Sequence, residues 1–187
     1  MLGMSKAGIF KYYKNKQELF IAVVDKFWFS TQNPRNKFTE TNGTFAEFID
    51  EYVRGVQRTM DMLGDLIGAE REKVAQGKFT YHAQYFHFLF QLLQYDPDAK
   101  EKLRNLVDGD YAYWRAAIQR AIATGELRED VDVEDAVVMF RQVYMGLSFE
   151  MAFMGGLNTQ RLAKHLHAVY SLSLIHISEP TRRSYIS

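Results

Sequence analysis

Ser5, Lys6, Lys11, Lys14 and Lys16 crowd into one short stretch with Phe10, Tyr12 and Tyr13, and no acidic residue precedes Glu18. Side chains of these types at this density suit phosphate binding. Lysines neutralise phosphate charge and release its counterions, while a hydroxyl and free N–H groups at a helix start donate to phosphate oxygens. The rest of the chain does not share this charge, since 23 lysines and arginines balance 23 aspartates and glutamates overall. A solvated lysine face accounts for the charge taken alone, so the pattern of residues around it carries the weight.

Other chemistries are poorly served. There is no cysteine, which removes disulfides, thiolate metal sites and thiol nucleophiles and points to an intracellular protein. No Gly-rich phosphate loop, G-x-S-x-G, HExxH or pair of partnered carboxylates occurs. His82 and His87 are five apart and His165 and His167 two apart, spacings that do not share one helical face for a metal. The expectation is a non-enzyme without metal or cofactor. No apolar run is long enough to cross a bilayer and no signal peptide opens the chain, so no membrane partner is expected and the location is read as cytoplasmic.

The elements that must position the cationic stretch all read as helices. Ser5 is a good N-cap for a helix from Lys6 to Tyr13, and Asn15 with Glu18 has capping-box spacing for the next one. There, Leu19, Val23 and Phe27 form one apolar row and Phe20, Val24 and Trp28 the adjacent one. After a loop around Pro34 to Gly43, Thr44 and Glu47 repeat the capping box. The helix they open carries Phe45, Phe48, Ile49, Tyr52, Val53, Val56, Met60 and Leu63 and fades near Gly64. Phe79 to Tyr95 is apolar around most of its circumference, as in a helix surrounded by others. Asp96-Pro97 starts a further helix that Gly125 ends; Asp132 opens one that Gly155 and Gly156 break near Met154; a last one starts near Asn158 or Thr159. With no segment at strand period, the fold class is all-α, a helical bundle with one sizeable core.

The stretch "GMSKAGIFKYYKNKQELFIAVV" (3–24) resembles the recognition helix and following linker helix of the tetracycline-repressor (TetR/AcrR) family of bacterial transcription regulators. The resemblance rests on Gly3, Met4, Ser5, Lys6, Ile9, Phe10, Tyr12, Tyr13, Asn15, Lys16 and Leu19 at the family's spacing. It implies that Ser5, Lys6, Lys11, Tyr12 and Lys16 contact an operator in double-stranded DNA, with Lys16 gripping a phosphate, while Ile9 and Tyr13 anchor the helix. Phe10 stands where the family usually has tyrosine and lacks the hydroxyl for one phosphate contact. Gly8 lowers helix propensity, a cost that fits a backbone approaching a surface closely. The family's first two helices have no counterpart ahead of residue 3, so residues 1–30 are expected to form an incomplete helix-turn-helix domain and to bind DNA only weakly and salt-sensitively.

Residues 31–171 then form the ligand-binding and dimerisation domain that the resemblance implies. The phrase "GELREDVDVEDA" (125–136) is common in form among these regulators. A homodimer through residues 133–170 is implied, although a core helix buried within one chain would show the same all-round apolar pattern. Tyr81, His82, Tyr85, Phe86, Trp114, Tyr144, Met145 and Phe149 are the candidate walls of a pocket for a small apolar or aromatic effector, or else plain core. "LSLIHISEPTR" (172–182) reads as translated transposon-type sequencing adaptor, which makes 172–187 an expected non-native tail. The function expected is that of a ligand-responsive DNA-binding regulator, most simply a repressor. The alternative is a helical ligand-binding or dimerisation module without specific DNA binding.

Overall fold

The computed structural model describes residues 12–38, 43–66 and 81–174, and all regular structure among them is helical. Helix α1 starts at Lys16 and runs to Val23, passes through a π-helical turn at Val24–Trp28 and closes with Phe29–Thr31. Short α2 (Pro34–Lys37) leads to α3 (Phe45–Leu66); α4 (Tyr81–Tyr95), α5 (Ala99–Ala123), α6 (Val133–Ala152) and α7 (Thr159–Val169) follow. A second π turn, Tyr170–Leu174, extends α7.

Helix starts follow the side chains that satisfy otherwise orphaned N–H groups. Thr44 and Glu47 close a complete capping box: Thr44 Oγ1 accepts from Glu47 N at 3.2 Å and Glu47 Oε2 from Thr44 N at 2.8 Å. At α1, Asn15 Oδ1 accepts from Glu18 N at 2.8 Å, but Glu18 reaches one residue further back, to Lys14 N, also at 2.8 Å. Asp132 and Asn158 cap α6 and α7 in the same way. The Asp96-Pro97 start lies two residues off: Pro97 and Asp98 form a turn and α5 begins at Ala99, because Asp96 Oδ1 accepts from Asp98 N at 3.0 Å instead of capping a helix at Pro97. Gly125 (φ 77°) and Gly156 (φ 89°) terminate α5 and the turn after α6 in the left-handed region.

The main core lies between α3, α5, α6 and α7. Ile49, Trp114, Ile118, Leu127, Val137, Phe140, Leu162 and Leu166 are completely enclosed there. A smaller core joins α1 to α4 and α5 through Val24, Trp28, Leu92 and Ala99. In α1 the Phe20–Val24–Trp28 row faces inward, whereas Val23 and Phe27 of the other row are exposed. Helix α4 is also less enclosed than its composition predicts. Leu92 is buried, but Phe90 is largely exposed and Leu93 and Tyr95 are partly so.

The 125–136 phrase acts as a joint. Gly125 ends α5, Leu127 plugs the core, and Asp132 caps α6. Glu126 reaches across to the start of α3, where its two oxygens accept from Phe45 N at 2.8 and 2.7 Å, and Oε1 also accepts from the Tyr170 hydroxyl at 2.9 Å. Burial, and then this bond, push the Tyr170 pKa up from 10.0 to about 12. The folded chain thus holds this proton more tightly than the unfolded chain. The associated stability is complete below pH 10.0 and is lost as the pH rises towards about 12. Tyr170→Phe is expected to flatten the fall in urea midpoint across this window; an unchanged slope would show that the bond contributes nothing.

Candidate functional site

One cavity opens where α1, α3, α4 and α6 meet. Its walls are Gln32 at the end of α1; Val56, Thr59, Met60 and Leu63 on α3; Tyr85 and Phe86 on α4; and Tyr144, Met145 and Ser148 on α6. The α3 residues recur at helical spacing, so one face of that helix builds a whole wall. The cavity offers about 30 Å³ to the centre of a water molecule, which exceeds the roughly 10–15 Å³ one water needs. The walls are mostly apolar, with a few polar groups placed among them. The Thr59 hydroxyl donates to the Gly55 carbonyl at 2.9 Å, whereas the buried Ser148 hydroxyl has no hydrogen-bond partner among the described residues. Burial, followed by the neighbouring Tyr144, holds the Tyr85 phenol well above its ordinary pKa, which keeps it a neutral donor.

Of the pocket residues expected from sequence, Tyr85, Phe86, Tyr144 and Met145 meet in this cavity. Trp114 does not; it is fully enclosed in the main core, stacked on Phe140 at 4.8 Å. Phe149 is half exposed on the outside of α6, with its ring 5.2 Å from Phe86 and 5.1 Å from Phe153. Tyr81 and His82 start α4, but their side chains lie outside the described residues. Val56, Met60 and Leu63 read in the sequence as ordinary core positions, and apolar periodicity cannot distinguish a core face from a cavity wall. Thr59 and Ser148, polar residues inside otherwise apolar rows, were the available signal. Nothing in the sequence marks Gln32.

The cavity is joined to α1 by aromatic contacts. Trp28 of the π turn has its ring 5.7 Å from Tyr85 and also 5.7 Å from Phe88. Lys102 of α5 fastens the outer side of the same turn, pairing with Asp25 at 2.7 Å and Asp96 at 2.9 Å. Burial alone would lower the Lys102 pKa, but these two hydrogen bonds more than offset that and hold it above its ordinary value.

At the front of α1, Tyr12 is 77 % exposed and Lys16 is also exposed. Ser5, Lys6 and Lys11 lie outside the described residues. Among the described residues no three His, Asp or Glu side chains gather as a metal site, and no helix is long and apolar enough to cross a membrane.

Residues 56–168 match the family of tetracyclin repressor-like C-terminal domains. This chain belongs to that family. The matched span runs from the middle of α3 to the end of α7, and so takes in all of the cavity except Gln32. The all-α bundle expected from the sequence is the fold observed. Comparison with curated proteins and with solved structures gives no match.

Proposed function

We propose that the protein is a ligand-responsive, DNA-binding transcriptional regulator that acts as a homodimer, with the α1–α3–α4–α6 cavity as its effector site. The observation that carries this reading is the Tyr85–Trp28 contact, because it ties a cavity wall to the helix that follows the Ser5–Lys16 stretch. A drug-sized ligand needs about 300 Å³ or more, far beyond the roughly 30 Å³ open here, so binding one requires Met60, Phe86 and Met145 to swing aside. A displaced α4 then carries Tyr85 and Trp28 with it and tilts α1. The effector weakens DNA binding by the same factor by which DNA weakens effector binding.

Family membership supports the regulator reading, and an exposed apolar row supports the dimer. Val138, Met139 and Phe149 on α6 and Phe153 just past its end are 40–69 % exposed. That surface is large for a monomer to leave in water, and two copies of α6 and α7 related by a two-fold axis would cover it. In the DNA-bound form Ser5, Lys6, Lys11, Tyr12 and Lys16 contact the operator.

Selection from a random duplex library, run with the full-length product of the gene, tests the proposal. The expected product is a two-fold-symmetric sequence with half-sites about one helical turn apart. If the full-length gene product enriches no sequence, the regulator reading fails.

A further inference from the structure

A cluster of buried charge lies next to the cavity wall at Tyr144, and among the described residues its signs do not balance. The Lys37 and Asp110 side chains are 7 % and 5 % exposed and that of Arg141 is 11 % exposed. Asp110 Oδ2 lies 3.6 Å from Lys37 Nζ and 3.6 Å from Arg141 Nε, so among the described residues one carboxylate faces two cations. Neither contact is short enough for a good hydrogen bond. Arg141 Nε and the Tyr52 hydroxyl are buried without a hydrogen-bond partner among the described residues. Asp110 Oδ1 is likewise unpartnered there. Besides Asp110, the ionisable groups that face Arg141 are the neutral phenols of Tyr52, Tyr144 and Tyr85.

Buried lysine and arginine are ordinarily found paired, because an uncompensated charge is expensive to remove from water. A guanidinium does not relieve that cost by losing its proton. Position connects the excess charge to the cavity. Arg141, Met145 and Ser148 fall on one face of α6, at successive turns, and the latter two are cavity walls. Tyr52 likewise stands one turn ahead of Val56 in the α3 wall. Lys37 Nζ lies 5.8 Å from the centroid of the Tyr144 ring, another wall. Lys37 and Arg141 therefore stand next to the wall residue Tyr144, and Arg141 also acts on Tyr85, whereas Met60, Leu63 and Phe86 are apolar walls.

Building on the effector-site reading above, we infer that the cavity takes an amphipathic anion, with its acid group held by Arg141 and Lys37 and its apolar body laid against Met60, Leu63 and Phe86. The acid balances the second cation, and Arg141 Nε and the Tyr52 hydroxyl gain an acceptor. Gln32, Thr59 and Ser148 add polar contacts along the path. A neutral ligand of the same shape would leave the second cation uncompensated.

A matched pair of fluorescent probes tests this in the full chain: 1-anilinonaphthalene-8-sulfonate and N-phenyl-1-naphthylamine, one frame with and without the acid. The sulfonate is expected to bind at least about 10-fold more tightly, the scale of a charge-assisted hydrogen bond. Arg141→Met and Lys37→Met should each erase that preference. Arg141→Lys, which keeps the charge, should retain most of the preference. Ser148→Leu, which fills the cavity, should weaken both probes. Should one methionine variant fail to fold, the other and Arg141→Lys carry the comparison. Equal affinity for the two probes, with both weakened by Ser148→Leu, would overturn the inference and leave the effector site standing. If Ser148→Leu affects neither probe, the effector-site reading fails and the inference with it.

Discussion

Trp114→Ala is expected to lower the unfolding free energy by about 3–5 kcal/mol, the range for removing a buried aromatic side chain. Trp114 is completely enclosed and is the ring on which others converge. It stacks on Phe140 and meets Tyr52 edge-on, each at 4.8 Å, and Phe38, Phe45 and Phe48 pack around it at 5.1–6.2 Å. These neighbours come from the loop before α3, from α3 itself and from α6, so the cavity left by the alanine cannot close by moving one helix. Against a total stability of roughly 5–15 kcal/mol, a loss of this size removes a large share of the folded state. Trp114→Phe should cost much less, since it keeps a ring and removes an indole N–H that has no hydrogen-bond partner among the described residues. Urea unfolding followed by far-ultraviolet circular dichroism measures both. A change below about 1 kcal/mol for the alanine variant would mean that the site collapses readily and that Trp114 is not the centre of the core.

Gly55→Val is expected to be the other severe substitution, costing about 1–3 kcal/mol as an overpacked contact and more if α2 is displaced altogether. A Cβ at Gly55 would overlap the backbone carbonyl of Lys37, and a backbone atom cannot yield as the tip of a side chain can. Gly55 is therefore what allows α2 to lie directly against α3 and delivers the Lys37 side chain to Asp110. The functional consequence separates this from a general loss of stability. At temperatures where Gly55→Val remains folded, it should lose its preference for the sulfonate probe as Lys37→Met does, because the ammonium group moves with α2. A variant that keeps both wild-type stability and that preference would show that the close approach of α2 is not required.

The two variants probe different kinds of information. Trp114 is visible in the sequence as one aromatic among many on an amphipathic helix, and its residue type suits a pocket wall and a core equally. The three-dimensional arrangement enclosed it, because five other rings from distant parts of the chain came to surround it. Gly55 carries less signal still, since its importance exists only through a carbonyl eighteen positions earlier. By contrast, Tyr85, Phe86, Tyr144 and Met145 were legible as aromatic or adaptable residues on helices expected to lie inside the bundle. Their meeting at one cavity depended on α4 crossing α6 at that level.

Among the described residues from Lys16 onward, the sequence by itself determined the helices, their order and most of their ends, because capping side chains, left-handed glycines and apolar periodicity act over one or two turns. It also carried the family resemblance in the few residues around Ser5. Only the tertiary structure decided which faces of those helices close a core and which line a cavity. It also decided that Phe90 of α4 is exposed and that Lys37, Asp110 and Arg141, far apart in the chain, share one buried site. The physical reason is range: hydrogen bonds at helix ends are satisfied locally, whereas the balance of buried charge and the filling of interior space depend on neighbours that the chain brings together only on folding.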